Sequence, residues 1–322
     1  MKFKIIPIAG DASFRTFYRI SSKKKSTILV STQKEKYKNL TAYSAINKFL
    51  REKKILTPKT YLFDFSKGVM IIEDFGDLSF NKVIAKNKNK LKIYKKLVDL
   101  LIKIQKINPK SKIKNIHKGF YKIDKYSNKY LFKESNLFFD WYLPLFLRKE
   151  KVLKIKKESN KILSKLYNKL NFSNSCFVHR DYHAQNFMKV SKKIGLLDSQ
   201  DALIGNPAYD LASLIDDVRI KTSIKLKDQV YNYYLKKTLK MHKKNPQKFL
   251  EDFKILSVQR SLKIIGIFSR LFKRDKKKKY LKYIPYTWQL LEMRMNSDIF
   301  SELRKNLDNN IPKKIRKKTI YK

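Results

Sequence analysis

Two short strings carry most of the chemistry in this chain of 322 residues. Val178-His179-Arg180-Asp181-Tyr182-His183-Ala184-Gln185-Asn186 places an acid ahead of an amide, and Gly195-Leu196-Leu197-Asp198-Ser199-Gln200-Asp201 ends an apolar run on a further acid. Asp followed by Asn on one tight loop can set a proton acceptor beside a magnesium ligand. An acid closing the next strand can hold the cation that bridges ATP phosphates. The combination points to phosphoryl transfer to an alcohol, with ATP and Mg2+ as the implied cofactors. Other chemistries fit worse. His179 and His183 have the spacing of a zinc-protease helix, but Arg180 stands where that motif needs Glu, and a strand precedes the pair. Neither a Gly-x-x-x-x-Gly-Lys-Ser/Thr phosphate loop nor a Gly-x-Ser-x-Gly nucleophile elbow occurs in the sequence.

The elements that must position these strings follow from pattern. Phe3 to Ala9, Phe17 to Ser21 and Ser26 to Ser31 read as strands of an antiparallel sheet, with Gly10-Asp11-Ala12-Ser13-Phe14-Arg15 between the first two. Leu40 to Glu52 reads as helix, and Lys59 to Phe65 with Gly68 to Glu73 as two more strands ending at Asp74-Phe75-Gly76. Helical periodicity then takes over: Leu91, Tyr94, Leu97, Val98, Leu101 and Ile104 form one stripe, and residues 131–147 and 149–170 two further segments. Cys176-Phe177-Val178 is a buried strand feeding the first string, long amphipathic segments fill Lys225 to Leu307, and a basic tail ends the chain. The expected fold class is α+β. The expected division is 1–75 as a nucleotide-binding lobe, 76–312 as a catalytic and substrate lobe, and 313–322 as an unstructured tail.

Composition bounds the rest. The net charge of +49 would attract polyanions of any kind, but only 12 of the 76 basic residues are Arg and the Lys are spread through every segment. A DNA reader concentrates its charge and leans on Arg, so no specific nucleic-acid partner is expected. With Cys176 as the single cysteine there is no disulfide framework and no thiolate cluster. The amino-terminal apolar stretch is short for a signal peptide and no run has the length of a membrane span, so the expectation is a soluble cytoplasmic protein. The oligomeric state is not legible.

With its motif placed behind a helical region, the chain resembles the aminoglycoside phosphotransferase-like small-molecule kinases. His179-Arg180-Asp181 to Asn186 looks like that family's catalytic loop, Asp198 like its metal-binding acid, and Gly205-Asn206-Pro207-Ala208-Tyr209-Asp210-Leu211-Ala212 like the segment after it. Protein kinases would show Asp-Phe-Gly and then Ala-Pro-Glu after the His-Arg-Asp loop; here Asp198-Ser199-Gln200 stands in the first place, Asp74-Phe75-Gly76 lies far ahead of the loop, and Ala-Pro-Glu does not occur. Gly10-Asp11-Ala12-Ser13-Phe14-Arg15, Arg180-Asp181-Tyr182-His183 and Leu197-Asp198-Ser199-Gln200-Asp201-Ala202 further resemble the anomeric kinases of cell-wall amino sugars, N-acetylmuramate and N-acetylglucosamine. The resemblance implies a protein-kinase-like bilobal fold, with a small antiparallel sheet in the N-lobe and a larger, mainly helical C-lobe. It also implies a sugar acceptor in cell-wall recycling. Choline, homoserine or an aminoglycoside is the alternative acceptor, and a non-catalytic polyanion-binding protein the alternative class.

By that resemblance Asp181 is the base, and Asn186 and Asp198 hold magnesium. Asp201 is open between a second ion, substrate and a turn cap. Asp210 is read as structural. Gly10, Ser13 and Arg15 line the phosphate loop, with an ordinary hairpin turn as the alternative, and adenine rests against the hinge Glu73 to Phe75. Val30 stands where kinases carry the ATP-binding Lys, so another cation must offset the phosphates: Arg15 first, with Lys34 and Lys36 behind it. His183 either braces the loop or approaches the phosphoryl group. The substrate candidates are Arg180, His183, Glu134, Asp140 and Trp141, although residues 134–142 fall at the helical spacing of a core face.

Overall fold

The computed structural model describes residues 4–8, 15–22, 25–32, 37–116, 119–238 and 245–317. The calls on Gly10, Ser13, Lys34 and Lys36 lie outside them. The chain divides into two compact units, 1–93 with 103–124 and 176–204, and 94–102 with 125–175 and 205–322.

In the first unit Lys4–Ile8 (β1), Thr16–Ser21 (β2), Ser26–Ser31 (β3), Thr60–Asp64 (β4) and Val69–Glu73 (β5) form an antiparallel sheet in the order β1-β2-β3-β5-β4. Tyr37–Glu52 (α1) supplies the apolar face that covers it. Alternation decides which side chains go inward: Ile28 pairs with Ile72 and Val30 with Met70, and all four are buried with Leu40, Tyr43 and Phe65. Val30 is therefore a core residue, fully covered. Its branched side chain suits a strand that packs under a helix.

The chemical strings belong to the same unit. Cys176–Val178 (β6) is wholly buried, with the Phe177 ring 6.5 Å from that of Phe49 on α1. The hairpin Phe187–Val190 (β7) and Lys193–Leu196 (β8) follows. Leu196 N–H donates to Leu56 C=O and Lys189 N–H to Leu78 C=O, each at 2.8 Å, which fixes the hairpin to the chain on either side of β4 and β5. A Cβ on Gly195 would stand 2.6 Å from the Phe75 ring, so only glycine lets that ring lie on the hairpin.

The second unit is mainly helical. Its elements include Asn128–Leu137 (α2), Lys149–Asn168 (α3), Ala208–Ile215 (α4), Ile224–Thr238 (α5), Pro246–Lys273 (α6), Ile284–Arg294 (α7) and Ser301–Asn310 (α8). Lys313–Lys317 is also helical, where the sequence reading left an unstructured tail. Buried Arg316 explains it: the guanidinium donates to Ile311 C=O and Leu307 C=O and pairs with Glu292. No helix among the described residues is long and apolar enough to cross a membrane.

Residues 131–147 are not one helix. After Leu137 the turns widen to a π-helix at Phe138–Tyr142 and then tighten to a 3-10 turn at Leu143–Leu145, where Pro144 has no N–H to continue the ladder. Gly266 of α6 packs on this irregular backbone so closely that a Cβ would lie 2.2 Å from the Leu137 carbonyl carbon and 2.5 Å from Phe138 N. Backbone cannot rotate away as a side chain can. Gly266→Ala is expected to cost about 3 kcal/mol and to lower the thermal midpoint by roughly 5–10 °C, measured by circular dichroism.

Candidate active site

Asp181 and Asn186 are set by the loop between β6 and β7. Asp181 C=O accepts from the Asn186 side-chain Nδ2 at 2.9 Å and from His183 N–H at 3.0 Å, while Asn186 N–H donates to His183 C=O at 3.0 Å. The loop thus closes on itself in two tight turns. Leu197 N–H donates to Asn186 C=O at 2.9 Å, and the His179 ring meets Leu197 C=O through Nε2 at 2.8 Å. A carbonyl only accepts, so His179 carries its proton on Nε2. His179 is fully buried and braces the strand that leads to Asp198 against the loop that holds Asp181.

Two backbone positions here are ones that side chains rarely adopt. Arg180 has φ 73° and Asp198 has φ 64°, both in the left-handed region. Arg180 donates through Nη1 to Asp201 C=O at 3.0 Å, and Asp201, in the 3-10 turn Ser199–Asp201, accepts from Gln200 Nε2 at 3.2 Å. Arg15 is buried and binds Asp198 Oδ1 at 2.5 Å and Gln200 Oε1 at 3.1 Å, its guanidinium 5.6 Å from the Phe17 ring centre and 5.7 Å from that of Tyr43. The structure thus joins the candidate phosphate cation to the candidate metal ligand. Burial pushes the Tyr43 hydroxyl up to about 12, so it stays protonated beside Arg15.

The segment expected to receive adenine is held by ion pairs. Arg19 binds Asp74 through Nε at 2.6 Å and Asp77 through Nη1 at 2.8 Å. Burial favours a neutral Asp74, but Arg19, Gly76 N–H and Ser26 outweigh it and keep the carboxyl below its ordinary value. The Glu73 carboxylate is taken by Arg51 at 2.9 Å and Lys59 N–H at 3.1 Å. The β3–β5 ladder ends at Thr27 and Glu73, so Asp74 and Phe75 lie past its last pair.

The remaining substrate candidates stand in the second unit and do not converge. Glu134 is buried and bonded by Tyr126, by Tyr209 at 3.2 Å, by Gln259 at 3.0 Å and by Lys263 at 3.0 Å. Its carboxylate is an anchor of a buried network in the second unit. Asp140 is exposed and paired with Lys156 at 2.6 Å, and Trp141 is half-buried beside it on the π-turn. Asp210 is fully buried on α4. Sequence reasoning missed Tyr43, which lies against Arg15, and Asn47, whose Oδ1 accepts from the buried Ser199 hydroxyl at 2.6 Å. The signal available was Asn47 itself, a polar residue on the otherwise apolar stripe of α1 at helical spacing from Leu40 and Tyr43.

Residues 4–243 match the model of the phosphotransferase enzyme family. The chain belongs to that family. It is a small-molecule kinase that acts on an alcohol acceptor, and kinases of this family use ATP. An N-acetylmuramate/N-acetylglucosamine kinase of Pseudomonas aeruginosa is 28% identical over 293 residues, covering 90% of this chain and 83% of its own. One of Caulobacter vibrioides is 26% identical over 281 residues, covering 86% and 76%. An ethanolamine kinase of Plasmodium vivax superposes with a TM-score of 0.63 at 13% identity, covering 93% of this chain and 84% of that one. That likeness is one of fold, and with the antiparallel sheet and the mainly helical second unit it gives this phosphotransferase a protein-kinase-like fold.

Proposed function

We propose that this phosphotransferase uses ATP and Mg2+ to phosphorylate the anomeric hydroxyl of N-acetylmuramate or N-acetylglucosamine in cell-wall sugar recycling. The observation that carries the reading is that relatives from two genera, matched over most of their own length, act on these two sugars. The catalytic loop supports the reaction class. Asp181 accepts the proton of the acceptor hydroxyl as the bond to phosphorus develops. The Asn186 amide spends its Nδ2 on Asp181 C=O, which turns Oδ1 to the role of cation ligand. Asp198 has Oδ2 left beside the oxygen that meets Arg15. Amide and carboxylate oxygens suit magnesium, and no group of three His, Cys, Asp or Glu side chains forms a metal cage among the described residues. Magnesium commonly binds in this way, through one or two protein oxygens with phosphates and water completing the shell. When bound it would neutralise phosphate charge.

Arg15 offsets the charge that the strand lysine neutralises elsewhere, since Val30 is committed to the core. Backbone groups of Asp74 and Phe75 receive the adenine edge, and Arg180 and His183 flank Asp181 on the acceptor side. Arg15→Ala should raise KM for ATP by roughly 10- to 100-fold, the weight of a charge-assisted hydrogen bond. Steady-state kinetics at varied ATP measures it, and an unchanged KM would assign the phosphates to another cation.

The acceptor is tested by incubating the protein with ATP, magnesium and a panel of amino sugars, choline, ethanolamine, homoserine and aminoglycosides, and reading phosphate transfer by mass spectrometry. The proposal expects both amino sugars to gain one phosphate. Rapid phosphorylation of an amino alcohol or aminoglycoside with no sugar product would move the chain to another acceptor class.

A further inference from the structure

Asp198 sits at φ 64°, and something must hold a non-glycine residue there. The next residue supplies the grip. Ser199 is fully buried, and its hydroxyl donates to Asn47 Oδ1 at 2.6 Å. Asn47 is itself 1% exposed and lies on α1, which is 16 residues long. Its backbone C=O accepts from the Thr57 hydroxyl at 2.9 Å, and its Nδ2 donates to Pro58 C=O at 3.5 Å, while Tyr43 stands one turn back on the same helix. Tyr43 in turn faces the Arg15 guanidinium that binds Asp198 and Gln200. One face of α1 therefore touches both neighbours of Asp198: Asn47 holds Ser199, and Tyr43 lies against the cation that holds the carboxylate.

We propose that Asn47 is a positioning residue of the phosphotransferase reaction, which sets the backbone of Asp198 through Ser199 so that its carboxylate is aimed for the divalent cation. The inference rests on the reading that Asp198 is a ligand of that cation. Its logic is geometric. Ser199 is the first residue of the turn that carries Asp198 at its start, and a buried hydroxyl without its acceptor must find another by rotating the turn. The Asn47–Ser199 bond spans 152 residues of sequence, so it ties the turn to the sheet-covering helix and not to its own hairpin.

The test uses the full-length protein. Binding of Mn2+ in the presence of a nonhydrolysable ATP analogue is followed by electron paramagnetic resonance of the free ion, and folding by thermal denaturation. Asn47→Ala and Ser199→Ala should each weaken Mn2+ binding about tenfold, while the double variant is no weaker than either alone. The KM for the acceptor at saturating metal should not move. Ser199→Ala leaves the Thr57 contact of Asn47 intact, which separates aiming of the turn from simple support of the helix. Asp198→Ala is measured alongside. If Asp198→Ala weakens Mn2+ binding but the two latch variants lower only the melting temperature, the positioning role is overturned and the cation assignment stands. If Asp198→Ala leaves Mn2+ binding unchanged, the cation assignment fails and the inference falls with it.

Discussion

Asp181→Asn is expected to cut kcat by at least 10²- to 10⁴-fold while leaving the dissociation constant for ATP within about threefold. The substitution keeps shape and the backbone carbonyl, so the bonds from Asn186 Nδ2 and His183 N–H that define the loop survive. What is lost is a group able to take a proton. The split between kcat and nucleotide binding is the informative part, because a merely misfolded loop would damage both. Single-turnover assays and calorimetric titration of ATP read the two quantities. Turnover near that of the parent would remove Asp181 from the reaction.

The largest effect on stability is expected at Asp216, far in sequence from Asp181 and within the helical unit. Its carboxylate is buried and receives Arg294 at 2.8 and 3.0 Å, Lys227 at 3.1 Å and the Ser257 hydroxyl at 2.6 Å. Burial alone would raise its pKa, but the two cations and the hydroxyl overcome that and bring it to about 2. An unfolded Asp titrates near 4, so the folded state binds its proton less readily. The stabilisation is complete above about pH 4 and is lost as pH falls towards 2, on the order of 2–3 kcal/mol. Asp216→Ala should cost about 3–5 kcal/mol at neutral pH, because Arg294 and Lys227 are left buried beside no acid. Urea unfolding at pH 7 and at pH 3 checks both statements. The variant should also show a flatter loss of stability between those values than the parent protein.

Local pattern carried the strands, because a half-buried sheet writes its alternation into the chain. Ser26–Ser31 was legible residue for residue. The candidate catalytic loop stood out because the residue types proposed for it lie in one short string from Asp181 to Asn186. Long-range pairings left no such trace. Nothing near Asn47 announces Ser199, and nothing near Asp198 announces Arg15, 183 residues away. Glu134 misled for the opposite reason. Its neighbours Asp140 and Trp141 gave it the look of a sugar-binding cluster, yet the carboxylate turns inward to Lys263 on α6. The π-turn at Phe138–Tyr142 was hidden because its local requirement, Pro144, is ordinary, while the room it needs comes from Gly266 in another helix.

The central claim is that the new ester is formed at the anomeric oxygen of an amino sugar. That hydroxyl is more acidic than other sugar hydroxyls, so a carboxylate placed beside it can assist its deprotonation. The most direct measurement is phosphorus NMR of the product made from N-acetylglucosamine or N-acetylmuramate, before and after warming in dilute acid. The account predicts one phosphorus signal split by the single anomeric proton, replaced by free phosphate after acid. A signal coupled to the two protons of carbon 6 and unchanged by acid would contradict it.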